Sequence, residues 1–385
     1  MLVVSLYVYA FLSEFILIYP VYALLFTDTG ISVAEVSTLF VIWSVTGMVL
    51  EIPSGAWADT VSRRLLLFLG PLLSGAGFAL WVLFPSYWVF AAGFVLWGAG
   101  EALVSGAYEA LAYEELERRG RSGRYASVMG RATALGLAGS ASAIGLASPV
   151  FAAGGYPAVA AASVLACVLC AATALTLPEH RAPAAAGGLG YLAALREGIG
   201  LARADRGVLR AMLLVAFVTA IWGALEEYVP YLGAETGVAK ATIPLLILLV
   251  WVGATAGGLL AGPAERLGSR GYAALLGLAA LTLAAGALSG HPAGFVAIGL
   301  AVGAFQLAQV LADVRLQERI TGPARATVTS VAGLGTNVVT LGVYTAYGTA
   351  SSQVSHGATF ALLALPYVVI ALAMARTRRS VRSSP

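Results

Sequence analysis

Charge is what the sequence has least of. Only 11% of the 385 residues are charged and 59% are hydrophobic, whereas a soluble globular domain carries about 25% charge. The deficit excludes a water-soluble globule and leaves a chain that crosses a membrane many times. Lysine is reduced to Lys240 and histidine to three residues. No Lys, Arg or His falls near the middle of an apolar run, which argues against phosphorylated sugars, organic phosphates and carboxylates as cargo, since these need a buried positive ligand. The two cysteines, Cys167 and Cys170, share one apolar run without metal-binding partners. They read as inert lipid-facing or packed thiols rather than a redox pair. No Walker loop and no HExxH pattern occurs, so ATP-driven transport and zinc chemistry lack a starting point, and neither cofactor nor metal is expected. No set of nucleophile, base and oxyanion donors can be assembled from the apolar runs, so the chain is not expected to be an enzyme. The net charge of +3 says little about partners, and nothing points to nucleic acid. The first apolar segment has no basic stretch before it, so no cleavable signal peptide is expected.

Glycine, by contrast, is abundant, with 45 residues. Gly253/Gly257, Gly258/Gly262 and Gly299/Gly303 have small-xxx-small spacing, which reads as ordinary close packing of helices in lipid. At about 20 apolar residues per span, six spans fit the first half, at 3–26, 33–57, 65–84, 87–113, 128–152 and 157–177. Six more fit the second, at 208–233, 242–264, 271–290, 293–315, 326–349 and 357–376. Between the halves, Pro178 to Gly207 brings Pro, Gly and charge, and Leu192, Leu195, Ile199 and Leu201 make part of it an expected surface helix. The reading is therefore an all-α integral membrane protein: a first bundle over 1–178, a cytoplasmic linker over 179–207, a second bundle over 208–376 and a basic tail over 377–385. Charge orients it. Every arginine falls on loops or helix ends of one side, which the positive-inside rule makes cytoplasmic, and Lys240 falls on the other. Both termini are then cytoplasmic.

One polar stretch, Gly55-Ala-Trp-Ala-Asp59-Thr-Val-Ser62-Arg63-Arg64, interrupts the apolar runs and reads as a cytoplasmic turn. It returns in the second half as Ala261-Gly-Pro-Ala-Glu265-Arg266-Leu-Gly268-Ser-Arg270, with Glu265 where Asp59 stood and Arg270 where Arg64 stood. The halves echo each other elsewhere too. Asp28-Thr29-Gly30 after the first span matches Glu235-Thr236-Gly237 after the seventh, Trp43 matches Trp251, and Arg124 before the fifth span matches Arg325 before the eleventh. The chain is a tandem duplication. The polar stretch resembles the loop signature of the major facilitator superfamily, Gly-x-x-x-Asp-x-x-Gly-x-Arg/Lys-Arg/Lys, with Gly55, Asp59 and Arg64 in place. Ser62 stands where the family has Gly, and Gly268 restores it in the second copy. The resemblance covers essentially the whole chain. It implies twelve transmembrane helices in two pseudo-symmetric six-helix bundles that rock about a midplane site to give alternating access. It also implies that Gly55, Asp59 and Arg64, with Glu265 and Arg270, form a conformational latch, Asp59 meeting the positive start of helix 11 near Ala326 to Thr329. Arg63 reads as a charge that only fixes topology. Ser148-Pro149 in helix 5 resembles a degraded form of the Gly-Pro motif of the drug:proton antiporter branch.

Carboxylates inside spans are costly and by default functional. Glu14 on helix 1 and Glu101 on helix 4 are nearest the expected midplane, without a basic residue at similar depth. Each can take a proton from one side and release it to the other, or meet a cationic substrate, or simply stay protonated and bonded to a neighbouring backbone or hydroxyl group. Glu226 and Glu227 lie in the outer part of helix 7, and one of them is expected to face the cavity. Phe11 and Tyr19 flank Glu14, Trp97 is four residues before Glu101, and Trp222 is one turn from Glu226; aromatic faces beside a carboxylate suit a lipophilic cation. Gln306 occupies the position of Glu101 in helix 10, and Asn337 lies within helix 11, both as neutral hydrogen-bonding candidates. Glu51, Glu109 and Asp313 read as partners of loop arginines, and Trp81, Tyr87 and Trp88 as interface-belt residues.

The sequence thus points to a secondary transporter of the cytoplasmic membrane, working as a monomer on a small-molecule substrate and protons. The reading is proton-coupled efflux of hydrophobic neutral or cationic compounds. Proton-coupled import of a small neutral or cationic metabolite, or a non-transporting scaffold or receptor on the same fold, remain the alternatives.

Overall fold

The computed structural model describes residues 2–180, 200, 205–320 and 325–376, and among these it leaves aside the side chains of residues 52, 55, 56, 58–60 and 325–327. The expected linker helix and basic tail lie outside the described residues, apart from Gly200. The chain forms two compact units, Met1–Gly187 and Gly188–Pro385. All regular structure among the described residues is helical. Nine helical stretches there are long and apolar enough to cross a membrane by length and composition.

The first unit contains α1 (Leu2–Glu14), α2 (Tyr22–Asp28), α3 (Val33–Thr60), α4 (Arg63–Leu83), α5 (Tyr87–Val104) and α6 (Ala107–Arg118). The run Tyr125–Leu175 follows, divided where Gly154 and Gly155 leave helical geometry, Gly155 at φ +60°, into α7 (125–153) and α8 (156–175). Glycine carries no Cβ penalty in that left-handed region. Three expectations change here. The span expected over 3–26 is broken: α1 ends at Glu14 and irregular backbone intervenes before α2. Pro20 cannot donate to a helical ladder, and the amide of Ile18 bonds instead to the Ser163 hydroxyl at 3.0 Å. The span expected over 87–113 is interrupted at Ser105 and Gly106, where Gly106 has φ +74°. The polar stretch 55–64 is mostly helix end rather than loop, because α3 runs to Thr60 and α4 starts at Arg63. The turn shrinks to Val61 and Ser62, and Ser62 caps α4 by accepting from the Leu65 amide at 3.1 Å, satisfying one of the free N–H groups of a helix start.

The second unit contains α9 (Arg206–Leu225), a 3₁₀ turn (Glu226–Tyr228), α10 (Val229–Glu235), α11 (Ile243–Leu259), α12 (Ala261–Ala264), α13 (Ser269–Leu288), α14 (Gly294–Arg319), α15 (Arg325–Ala350) and α16 (His356–Arg376). Here too the first span is divided, at Glu226–Tyr228. Asp205 caps α9, its Oδ1 accepting from the Gly207 amide at 2.6 Å.

Glycine sets how closely helices approach. A Cβ built on Gly70 would lie 2.8 Å from the Gly100 carbonyl oxygen, and one on Gly77 2.7 Å from that of Gly93, so α4 and α5 touch backbone to backbone. In the second unit the same device joins the corresponding pair, a Cβ on Gly286 of α13 lying 2.7 Å from the Gly294 carbonyl oxygen of α14, and a further pair besides: a Cβ on Gly253 or Gly257 of α11 would collide with the carbonyls of Gly299 and Gly303 on α14. The Gly258/Gly262 pair does not share this role, since Gly258 meets only Gln306 at 3.9 Å and Gly262 nothing within 4 Å. Cys167 and Cys170 are both buried, so they are packed rather than lipid-facing. Trp81 leaves the expected interface belt: it is fully buried and donates to the Phe90 carbonyl at 3.1 Å. Trp88 is 78% exposed, as a belt residue would be.

Candidate functional site

In the first unit the site is built on α5. Trp97 and Glu101, one turn apart, share a face of the helix. Two helices supply the rest. Trp43 of α3 donates its indole N–H to Glu101 Oε2 at 3.1 Å, and its ring stacks on Trp97 with centroids 4.7 Å apart. Tyr19, from the irregular segment between α1 and α2, stacks on the other partner, Trp97, at 5.1 Å, and Phe78 of α4 meets Trp97 edge-on at 5.5 Å. The Trp97 indole also lies close enough to interact with the Glu101 carboxylate. An indole N–H only donates, so what Glu101 presents to Trp43 is an acceptor oxygen. Its side chain is not covered by these neighbours: Trp97 is buried, whereas Glu101 is exposed. The result is a reachable carboxylate standing on a wall of rings.

Glu14, the last residue of α1, is close enough to Glu101 to interact with it electrostatically. It accepts a hydrogen bond from Ser140 of α7 at 3.1 Å. The contact needs a close approach: a Cβ on Gly139 would collide with the Phe11 carbonyl, and one on Gly136 would lie 3.3 Å from both the Ala10 carbonyl oxygen and Glu14 Cγ. Phe11 does not join the aromatic wall and stacks on Phe15 at 5.4 Å. The structure therefore brings together Tyr19, Trp97 and Glu101, adds Trp43, and gives Glu14 a hydroxyl partner. Trp43 is the residue the sequence reading missed. Its one signal was the echo at Trp251, which marked duplication without saying what the indole bonds.

In the second unit Glu226 opens the 3₁₀ turn after α9, and Trp251 of α11 lies close enough to interact with its carboxylate. Glu227 beside it is half-buried. Trp222 turns elsewhere: its ring stacks on Phe305 at 6.5 Å and its backbone amide donates to the Tyr367 hydroxyl at 3.0 Å. Gln306 and Asn337 are half-buried, on α14 and α15.

The signature residues are placed as follows. Gly55 and Asp59 fall in the last turns of α3, with their side chains outside the description, so the Asp59 contact expected of the latch is not among the described features. Arg64 and Arg270 are exposed in the first turns of α4 and α13, and Glu265 is exposed in the turn before α13. Arg63 does more than fix topology. It pairs with Glu114 of α6 at 2.5 Å, and its amide donates to Glu179 at 2.6 Å. The described ion pairs of this end run through Glu114 and Glu115, the latter to Arg119 at 3.5 Å, rather than through Glu51, Glu109 or Asp313.

The family model of the Major Facilitator Superfamily matches residues 3–231. No curated protein matches the chain. Among solved structures, the nucleoside transporter NupG is similar with a TM-score of 0.77 at 13% identity, over 100% of this chain and 98% of that one. A bacterial homolog of the human lysosomal transporter Spinster, inward-facing and unoccupied, gives 0.74 at 16% identity over 100% and 98%. The D-xylose–proton symporter gives 0.68 at 16% over 97% and 96%. At such identities the likeness is one of fold. With the family model covering more than half of its length and nine described helical stretches long and apolar enough to cross a membrane, the chain belongs to the major facilitator superfamily and is a multi-pass membrane transporter of small molecules.

Proposed function

We propose that the protein exports hydrophobic neutral or cationic small molecules across the cytoplasmic membrane in exchange for protons, as a monomer with both termini cytoplasmic. The observation that carries the reading is the Glu101 site. Its carboxylate is reachable, held at one oxygen by Trp43, and bordered by the stacked rings of Tyr19, Trp43 and Trp97. A lipophilic cation finds there both a counter-charge and aromatic faces, a combination that attracts cations by roughly 0.5–2 kcal/mol per ring contact. A proton and a cation competing for one carboxylate are already the two half-reactions of an antiporter. Glu14 serves as a second protonatable group beside it, and Glu226 with Trp251 as the corresponding group of the second unit, with Glu227 next to it. Phe11, Trp222, Gln306 and Asn337 are lesser candidates for substrate contact. Gly55, Asp59, Arg64, Glu265 and Arg270 act as the latch.

The test is a pH-gradient assay in proteoliposomes, adding a panel of lipophilic cations to wild type, Glu14→Gln and Glu101→Gln. Addition of cation should release protons against its own movement, and the Glu101→Gln variant should lose the response. Proton uptake in the same direction as the substrate would overturn export. For the latch, Asp59→Asn should impair transport while leaving ligand binding nearly intact; unchanged transport would remove Asp59 from that role.

A further inference from the structure

One turn of α9 is bridged by a side chain from another helix. In an ideal helix the Trp222 amide would bond directly to the Val218 carbonyl four residues back. Here the Tyr367 hydroxyl of α16 stands across the two groups, accepting from the amide at 3.0 Å and donating to the carbonyl at 3.1 Å. A side chain set into the backbone ladder is one of the few causes of a helix bend. Two neighbours weaken the same turn. The Thr219 hydroxyl is buried and has no hydrogen-bond partner among the described residues, although a helical threonine commonly bonds back to the carbonyl one turn earlier. Gly223 is exposed, and a Cβ there would meet nothing within 4 Å. Neither packing nor a left-handed backbone therefore calls for glycine, which costs a helix interior stability.

The first unit carries the same device further. The Ser163 hydroxyl of α8, the last described helix of that unit, accepts from the Ile18 amide at 3.0 Å and donates to the Val159 carbonyl at 2.7 Å. There the helix is broken outright between α1 and α2. The offset that pairs Asp28 with Glu235 sets Ile18 opposite Leu225, one turn from Trp222. In the second unit the two sides of the bridged turn differ in restraint. Beyond it, Glu235 at the end of α10 accepts from the His356 and Gly357 amides of α16 at 2.7 and 3.0 Å, and the Tyr228 ring stacks on Tyr347 at 3.5 Å. Before it, a cavity of about 1080 Å³ separates α9 from α16, with Ala211, Leu214 and Phe217 on one wall and Ile370 and Met374 on the other.

We infer that the turn from Val218 to Gly223 is a hinge of α9 and that Tyr367 is its positioning residue. The part of α9 before the turn swings within the cavity, while the piece carrying Glu226 stays fixed to α16. The hydroxyl keeps the Trp222 amide and the Val218 carbonyl bonded as the turn opens. Without it, opening would leave both backbone groups unpaired in apolar surroundings, which is costly. Rearrangement of the turn also lets the Thr219 hydroxyl take up the Val215 carbonyl.

The experiment introduces Ala211→Cys into the full-length protein and measures alkylation of that thiol by a soluble maleimide in detergent, with no substrate present. Ala211 is 7% exposed and lines the cavity, so a thiol there reacts only as α9 moves. The native Cys167 and Cys170 are buried in the other unit. Tyr367→Phe keeps the ring stack on Phe305, at 4.2 Å, and should slow alkylation about fivefold, the factor that one hydrogen bond of ordinary net strength represents. Its melting temperature should barely change, because the freed amide and carbonyl then join each other. Tyr272→Phe removes another buried hydroxyl, which donates to the Ala308 carbonyl at 2.9 Å but bridges no turn, and should leave the rate unchanged. Gly223→Ala should slow alkylation and raise the melting temperature, and it decides should Tyr367→Phe fail to fold. In proteoliposomes Tyr367→Phe should lower maximal cation flux without changing half-saturation. That arm alone rests on the export reading, so its failure beside slowed alkylation would count against export and not against the hinge. Alkylation in Tyr367→Phe at the unsubstituted rate or faster, equal slowing by Tyr272→Phe, or no slowing by Gly223→Ala would each overturn the assignment.

Discussion

The two units carry the same hydrogen-bond donor and place its acceptor differently. Trp43 and Trp251 occupy matching positions on the second span of each unit. In the first unit the indole meets Glu101 on the fourth span, at 3.1 Å. In the second it meets Glu226 on the first span of that unit. The positions are exchanged in kind: Gln306 stands where Glu101 would be, and the offset that pairs Asp28 with Glu235 puts Tyr19 opposite Glu226. Duplication thus kept a donor and let the charge move to another helix. What surrounds each carboxylate also differs. Glu101 sits just before the break at Ser105 and Gly106, while α14 runs unbroken through Gln306 to Arg319. Around Glu101 the rings of Tyr19 and Trp43 each stack on Trp97; on the other unit Trp222 stacks on Phe305 instead. The physical lesson is that a carboxylate, its donor and its aromatic wall need only converge in space, so repeated sequence does not require repeated chemistry.

The comparison can be broken most severely at Glu101. Glu101→Gln should reduce proton-coupled flux to background, while Gln306→Glu in the same background should not restore it, because Gln306 lies beside Gly258 and the described ring stacks of that unit include those of Phe305 on Trp222 and Tyr367 and of Tyr228 on Tyr347. Recovery of flux, measured in the same vesicles, would mean that depth alone and not the ring environment matters.

The packing half of the comparison comes next in size. Gly257→Leu should destabilise the second unit by about 1–3 kcal/mol or more, the usual cost of forcing side-chain volume into a packed contact, because a Cβ at that position would run into the Gly303 carbonyl. Gly262→Ala, with nothing within 4 Å, should leave the melting temperature unchanged or slightly raised. Thermal unfolding in detergent distinguishes the two, and equal effects would remove the α11 to α14 glycine contact from the account.

A smaller effect is expected of the donors. Trp43→Phe keeps the ring but removes the indole N–H, which should cost about 1.5–3 kcal/mol if Glu101 is ionised, the range for a hydrogen bond to a charged group. Trp251→Phe should act on the second unit in the same sense. If Trp43→Phe changes cation affinity no more than a substitution of exposed Trp88, the hydrogen bond has no part in the site. Ser140→Ala should have the least effect, about 0.5–1.5 kcal/mol for a hydrogen bond to a neutral Glu14 carboxyl, read as a small change in the cation response of Ser140→Ala compared with wild type.

Much of the fold was legible because membrane spans announce themselves by length and composition, and because the repeat of Asp28-Thr29-Gly30 as Glu235-Thr236-Gly237 and of the polar stretch fixed the duplication. The breaks were not. Gly106 is one of 45 glycines, most of which pack or do nothing special, and only the backbone shows that this one takes φ +74°. The interruption before α2 depends on a distant acceptor, Ser163, which takes the Ile18 amide. The same is true of the site. Trp97 and Glu101 could be paired from their spacing within one helix, but Trp43 reaches Glu101 across 58 positions of sequence and Ser140 reaches Glu14 across 126. Such contacts are set by helix packing, which periodicity along one chain segment does not encode. Trp81 shows the converse: an aromatic near a span end reads as a belt residue, yet glycine at position 93 opens room for it, since a Cβ there would run into its indole.

The most direct measurement is proton release on binding of a lipophilic cation to purified protein in weakly buffered detergent solution, with wild type and Glu101→Gln side by side. The account predicts release of a proton as the cation binds to wild type, and both weaker binding and no release in the variant. Cation binding of unchanged strength to Glu101→Gln, or binding to wild type without any proton release, would contradict it.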